Sequence, residues 1–240
     1  MEASGQGRYV QAIRKALSGE RLDAYGLGRT DEQKIATYLW NLALCESVYP
    51  ALNGLEIALR NAVFNAGAQI FSGISTRDVP CWLDASPSLF DIDHEQSVIA
   101  AKLRLRDRGR ALEPGRLVAE LTFGFWTSLF EVRYERNKVL WPHLFGAQLL
   151  HPSSPRSMRS RKELSPLLNR VRHLRNRVFH HEPIWHWSNL VQQHSLALDL
   201  IGWFSPELRT TIEPGDRFRA VHAAGAAPFL QHVHSLVRAA

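Results

Sequence analysis

Between Leu174 and Pro183 the chain reads Leu-Arg-Asn-Arg-Val-Phe-His-His-Glu-Pro. These residue types suit chemistry on a phosphate. A guanidinium pairs with phosphoryl oxygens through a planar fork of donors, and an imidazole gives or takes a proton near neutrality. A metal reading competes, because His180, His181, Glu182 and His186 cluster, as do His232 and His234. No CxxC or HExxH spacing supports it, and adjacent helical histidines point in different directions. No metal and no cofactor is assigned on this ground.

A helix has to hold the string. Leu167, Val171, Leu174 and Val178 recur at helical spacing and form an apolar stripe. Arg170, Arg172, His173, Arg175, Asn176, Arg177 and His180 occupy the other faces. Ser165 and Pro166 read as its N-cap and first residue, and Pro183 ends it. At about 100° per residue, Arg175 and His180 lie about 140° apart. Asn176 and His180, at i and i+4, share a face. His181 falls near the stripe, so a structural histidine is its default reading, and Glu182 either fixes an imidazole or terminates the helix. Trp126 and Trp203 read as core aromatics, and Trp185 as a candidate for base stacking.

Helical periodicity governs the rest. A helix is expected over Arg8–Leu17, ending at Gly19. Asp31 caps a second through Tyr49, Pro50 breaks or kinks it, and the pattern resumes from Ala51 to about Phe71. Residues 72–92 read as a loop docked by Trp82 and Leu83. A helix from about Asp93 to Arg108 ends in basic residues (Lys102, Arg104, Arg106, Arg108, with Arg110 beyond), which suits the helix dipole. Arg116 to about Val139, containing Leu-Thr-Phe-Gly-Phe-Trp at 121–126, reads as one central buried helix. Residues 147–164 form a basic arm or a solvated linker. Further helices are expected over Trp187–Phe204 and within Pro214–Ala240. No segment alternates with period two, so the fold class is all-α.

Arg175 followed four residues later by His180 matches the Arg-x4-6-His signature of HEPN domains, all-α modules that are often metal-independent ribonucleases. The longer string Arg-Asn-Arg-Val-Phe-His-His-Glu-Pro-Ile, 175–184, resembles the Abi-like (abortive infection) branch of that family. Two more stretches are similar to it: Ala-Leu-Asn-Gly-Leu-Glu-Ile-Ala-Leu-Arg-Asn at 51–61 and Ala-Glu-Leu-Thr-Phe-Gly-Phe-Trp at 119–126. The resemblance implies a HEPN-like helical bundle over 30–205, with an N-terminal helix and linker over 1–29 and a C-terminal helical extension over 206–240. It also implies an endoribonuclease with a toxin-like, phage-defence role. His180 would act as general acid or base, Arg175 would stabilise charge on the phosphoryl oxygens, and Asn176 would orient the phosphate or the imidazole. Arg172, Arg177, His181 and Trp185 would contact RNA, and Glu56, Arg60 and Glu182 would support the site. Glu56 and Arg60 also form a plausible i,i+4 salt bridge with no role in a cleft. Because Arg175 and His180 do not share a face, a distorted helix end or a two-fold pairing of two sites must unite them. A homodimer with a composite site is expected, with an antitoxin or regulatory partner compatible. The alternative is a non-catalytic HEPN-like module that binds RNA, a nucleotide or a partner protein.

Bulk properties agree with a globular, basic protein. The 240 residues are 45% hydrophobic with a formal net charge of +6, enough to build a core and to attract an acidic or phosphate-bearing partner. The basic surface also has a plain solvation reading. Two cysteines, Cys45 and Cys81, make no disulfide framework and suit a reducing cytoplasm. The polar first residues lack a signal-like apolar core, and no apolar run approaches the roughly 20 residues of a membrane helix.

Overall fold

The computed structural model describes residues 5–74, 76–85, 89–136, 138 and 140–239. Among them the chain is all-α, as its periodicity predicts. There are thirteen α-helices, three 3-10 turns and no strand, apart from an isolated bridge between Thr76 and Ala85. The helices are α1 Gly5–Leu17, α2 Gly19–Asp23, α3 Asp31–Ile70, α4 Ile92–Asp107, α5 Pro114–Glu120, α6 Phe123–Ser128 and α7 Arg133–Arg136. They continue with α8 His143–Gly146, α9 Arg161–Phe179, α10 Leu190–Phe204, α11 Pro206–Ile212, α12 Phe218–Ala224 and α13 Ala227–Ala239.

Several boundaries differ from expectation, each for a local reason. Helix α3 begins under Thr30 rather than Asp31. Thr30 Oγ1 accepts from Gln33 N at 3.3 Å while Gln33 Oε1 accepts from Thr30 N at 3.1 Å, a reciprocal capping box. Pro50 does not end α3, which runs unbroken for 40 residues. Proline deprives the Glu46 carbonyl of its helical partner, but the Glu46 side chain is 70% exposed, on a face where water can serve instead. The single helix expected from Arg116 is divided into α5, α6 and α7; the first break comes where Thr122 leaves helical geometry and caps α6 by accepting from Phe125 N at 3.2 Å, and the expected end at Val139 lies outside the described residues. Its burial was read correctly, since Phe123, Phe125, Trp126, Leu129 and Phe130 are all buried. The single C-terminal helix is two, α12 and α13, separated at Gly225 with φ +63°.

Helix α9 starts at Arg161, not at Ser165 and Pro166. Ser160 Oγ accepts from Glu163 N at 3.2 Å, and the Arg161 guanidinium bonds Glu135 Oε2 at 2.8 Å and the Phe130 carbonyl at 2.9 Å. Pro166 therefore sits inside the helix, where it removes one backbone bond. The same contacts correct the reading of 147–164 as a free basic arm or linker: Arg161 is tied down, and Arg159 donates to the Pro152 carbonyl at 2.7 Å.

The helices group into two compact units. One is drawn from Met1–Pro50, Leu174–His194 and Gly215–Ala240. In it α1, α2, α13 and the first part of α3 close over Leu22, Ile35, Ala36, Val233 and Val237, with Tyr9, Ile13, Leu39 and Phe229 at the margin. Arg14 pairs with Asp23 and Asp31 at 3.0 Å each, and Lys34 with Asp23 at 2.7 Å. These half-exposed pairs orient the helices more than they stabilise them.

The other unit is drawn from Ala51–His173 and Ser195–Pro214. Its core holds Trp126, Trp141, Tyr134, Phe123 and Phe130. The loop after α3 docks as expected: Trp82 and Leu83 are buried and the Trp82 indole donates to the Phe64 carbonyl at 2.9 Å. Lys102, read as part of the basic helix end, is buried and bonds Asp84 at 2.7 Å and Asp78 at 3.0 Å. Lys102 and Arg106 hold the Asp78 carboxyl below its ordinary value. Nearby, His94 bridges Asp91 Oδ1 at 2.9 Å and Ser128 Oγ at 2.7 Å. The order of groups is that of a hydrolytic triad, but the Ser128 hydroxyl also faces the Gly124 and Phe125 carbonyls of its own helix at 2.8 and 2.9 Å. The imidazole is buried between Phe125 and Tyr134. This is a packing network that joins α4 to α6.

Candidate active site at the end of α9

The string 174–183 lies in the first unit, on the last turns of α9. The helix is anchored by Leu164, Leu168, Val171, Leu174 and Val178, all buried. Leu167, expected in this stripe, is only partly buried, and Leu164 and Leu168 fill the buried face before Val171. With this face fixed, Asn176 and His180 are exposed and Arg175 is half-buried beside them. Among the described residues no hydrogen bond or ion pair engages the side chain of Asn176 or His180. Both are presented to solvent as one i,i+4 row.

Regular bonding persists to the end: the His180 amide still reaches the Asn176 carbonyl at 2.9 Å. The helix end is therefore not distorted before His180, and the ideal angle of about 140° between Arg175 and His180 stands. The Arg175 guanidinium instead lies over the Phe179 ring, 4.3 Å from its centroid, and that ring packs against Tyr49 at 6.0 Å.

Termination follows a Schellman pattern. Glu182 N bonds the Arg177 carbonyl at 2.8 Å and His181 N the Val178 carbonyl at 3.2 Å. The pattern needs a left-handed residue between them, usually glycine, and here it is His181 with φ +59°. His181 is exposed rather than a buried structural histidine, because the helix stops before the stripe reaches it. Its carbonyl accepts from Arg21 at 2.6 Å. Arg177 closes the turn from the other side, donating to the Pro183 carbonyl at 3.1 Å and pairing with Glu182 at 3.1 Å. The Arg177–Glu182 pair thus braces the turn. Partial desolvation, with the positive Arg177 adding to it, holds His186 below its ordinary value.

The chain after the turn is strapped to α3 by one buried side chain. Asn41 Oδ1 accepts from Ile184 N at 2.8 Å and from Trp185 N at 3.1 Å. Trp185 is half-buried with Arg29 stacked over it at 4.9 Å, and Arg29 in turn donates to Thr37 at 2.6 Å. The indole face nominated for a base is thus shared with a guanidinium. Arg177 similarly covers Trp187 at 5.5 Å.

Arg172, Glu56 and Arg60 belong to the second unit. Glu56 is engaged, but no ion pair joins it to Arg60 among the described residues, and the Arg60 Nε is buried without a hydrogen-bond partner there. The expected i,i+4 pair is not formed. Among the described residues no group of three or more His, Cys, Asp or Glu is placed to hold a metal ion. Arg21, Arg29, Asn41 and Tyr49, which shape this site, lie more than a hundred positions from the string. Local spacing carries no sign of them; the i,i+4 spacing of Arg175 and Phe179 is the one clue to the ring stack.

No family model, no curated protein and no solved structure matches the chain.

Proposed function

We propose that the end of α9 is the active site of a metal-independent endoribonuclease. The observation that carries this reading is the Asn176–His180 row: an amide and an imidazole, both exposed and unengaged among the described residues, on a helix whose opposite face is buried. Arg175 stands one position away, half-buried, with its guanidinium over the Phe179 ring. In the step this set supports, one imidazole takes the 2′-hydroxyl proton, the 2′-oxygen bonds to phosphorus, the P–O5′ bond breaks, and a second proton donor delivers to the 5′-oxygen. The products are a 2′,3′-cyclic phosphate and a 5′-hydroxyl. Histidine suits both proton transfers, and arginine stabilises the charge on the phosphoryl oxygens.

Arg175 and His180 remain on different faces of a regular helix end, so the composite arrangement falls to a two-fold pair of chains, each supplying one copy of the string across a cleft. Arg177, His181 and Trp185 are the groups of the first unit available for RNA contacts, with Arg177 and Trp185 also structural, and Arg172 is a candidate RNA contact carried by the second unit. The HEPN-like bundle, the toxin-like role and a cytoplasmic setting are parts of the same reading, supported by the motif resemblance. No helix among the described residues is long and apolar enough to cross a membrane.

The test is incubation of the purified protein with RNA in EDTA and analysis of the ends. Cyclic phosphate ends that disappear in Arg175→Ala and His180→Ala support the reading; undiminished cleavage by His180→Ala refutes it. RNA binding without cleavage by the wild type would favour the non-catalytic module.

A further inference from the structure

Large apolar side chains are mostly buried in this chain, yet two aromatic rings in contact with each other are not. Tyr49 is 48% exposed and Phe179 is 42% exposed, their centroids 6.0 Å apart and their planes inclined by 40°. Both lie in the first unit, Tyr49 on α3 and Phe179 as the last residue of α9. Phe179 immediately precedes His180, and the Arg175 guanidinium lies 4.3 Å from its ring centroid. Around the helix the Arg175–Phe179 row is followed, about 100° on, by the Asn176–His180 row. An exposed aromatic surface topped by a cation thus adjoins the candidate proton-transfer group.

We propose that Tyr49 and Phe179 form a stacking platform for a base of single-stranded RNA, with Arg175 meeting the adjoining phosphate. This deepens the nuclease reading and rests on it. Every base has a π-face that stacks on an aromatic ring, so such a platform holds RNA without demanding a sequence. A base seated on the Phe179 row places its own ribose and phosphate toward the next row, where the 2′-hydroxyl has to meet His180. A duplex keeps its bases stacked on one another and cannot use the platform. The occupant fits by size and charge. At their fractional exposures the two rings offer on the order of 200 Å², far below the roughly 800 Å² per partner of a stable protein interface. The positive guanidinium beside the rings favours a phosphate-bearing ligand.

Binding of a fluorescein-labelled single-stranded 12-mer RNA by the full chain tests this, measured by anisotropy in a His180→Ala background that leaves RNA uncut. Tyr49→Ala and Phe179→Ala are each expected to weaken binding about tenfold or more. Phe179→Leu should be as weak, and Tyr49→Phe and Phe179→Tyr should bind as the background does. An abasic 12-mer should bind the background protein about as weakly as the RNA binds the alanine variants. Circular dichroism melts confirm that the variants fold, and light scattering reads their mass. Unchanged RNA affinity in folded alanine variants overturns the platform, and leaves the nuclease reading standing if the wild type cuts RNA. Wild type that binds RNA through these rings yet cuts none retains the platform and overturns the nuclease. A drop from dimer to monomer mass in Phe179→Ala, with affinity restored by Phe179→Leu, overturns the platform in favour of a contact between copies.

Discussion

At the scale of single residues, Asn41 and His181 hold the backbone after α9 in place, and neither has a part in the proposed proton transfers. Asn41 is buried and accepts both the Ile184 and the Trp185 amides. Asn41→Ala strands those donors and should cost about 1–3 kcal/mol, seen as a lower melting temperature and faster hydrogen exchange at the two amides. Asn41→Asp keeps acceptor oxygens there and should lose less. His181 fills the left-handed position of the α9 terminus, where its Cβ is strained. His181→Gly should raise stability by about 0.5–1 kcal/mol. A melting temperature that falls instead would mean the imidazole makes a contact worth more than the relieved strain. Residue types alone nominated Arg175, Asn176 and His180 as candidates. They carried no information about Asn41, because an asparagine 143 positions before Ile184 has no local relation to it.

At the scale of elements, helix existence was readable and helix ends were not. Period 3.6 is a property of many residues together, whereas a terminus depends on one or two side chains competing for backbone groups. Thr30, Thr122 and Ser160 each win such a competition, and two of them restart or advance a helix that composition would continue or delay. Thr30→Ala should weaken the start of α3 by about 1 kcal/mol, measured as a shift in urea midpoint at constant slope. Close packing sets a second constraint. In the segment 51–61, a Cβ on Gly54 would meet Ile212 Cδ1 at 2.3 Å and Ile201 Cδ1 at 3.2 Å. Gly54→Ala should destabilise the second unit by about 1–3 kcal/mol through overpacking, although alanine is the better helix former. The melting temperature decides which effect prevails.

At the scale of the molecule, net charge overstates the charge available to a ligand. Much of the arginine is spent internally: Arg104 and Arg108 on Glu120, Arg106 on Asp78, Arg161 on Glu135 and Arg209 on Asp199 and Glu213. Arg172 makes no such pair among the described residues, so its loss should lower RNA affinity with little change in stability. Acid should destabilise the first unit. His194 is buried, stacked on Phe218 at 4.2 Å and 2.9 Å from Asp216. Burial lowers its pKa from 6.5, and Arg219 adds to that, against the opposing pull of Asp216. A folded value below the unfolded one means the unfolded chain takes the proton first, so stability is full above about pH 6.5 and declines as pH falls below it. Thermal melts from pH 8 to 5 should show this limb, and His194→Gln should flatten it. Light scattering should give twice the 27.2 kDa chain mass if the composite site is assembled from two copies.

The amino-acid order sufficed for the all-α class, for the apolar face that anchors α9 and for the amide–imidazole row that face exposes. All three follow from local periodicity and side-chain chemistry. Folding in three dimensions set the remainder. It placed Asn41 under the chain after Pro183, turned Lys102 inward to Asp84, and laid Tyr49 against Phe179. Such pairings join positions far apart in sequence, and their energies depend on burial and distance. The string 174–183 thereby changes from a list of reactive types into a regular helix end, with His180 on one row and Arg175 with its aromatic neighbours on the next.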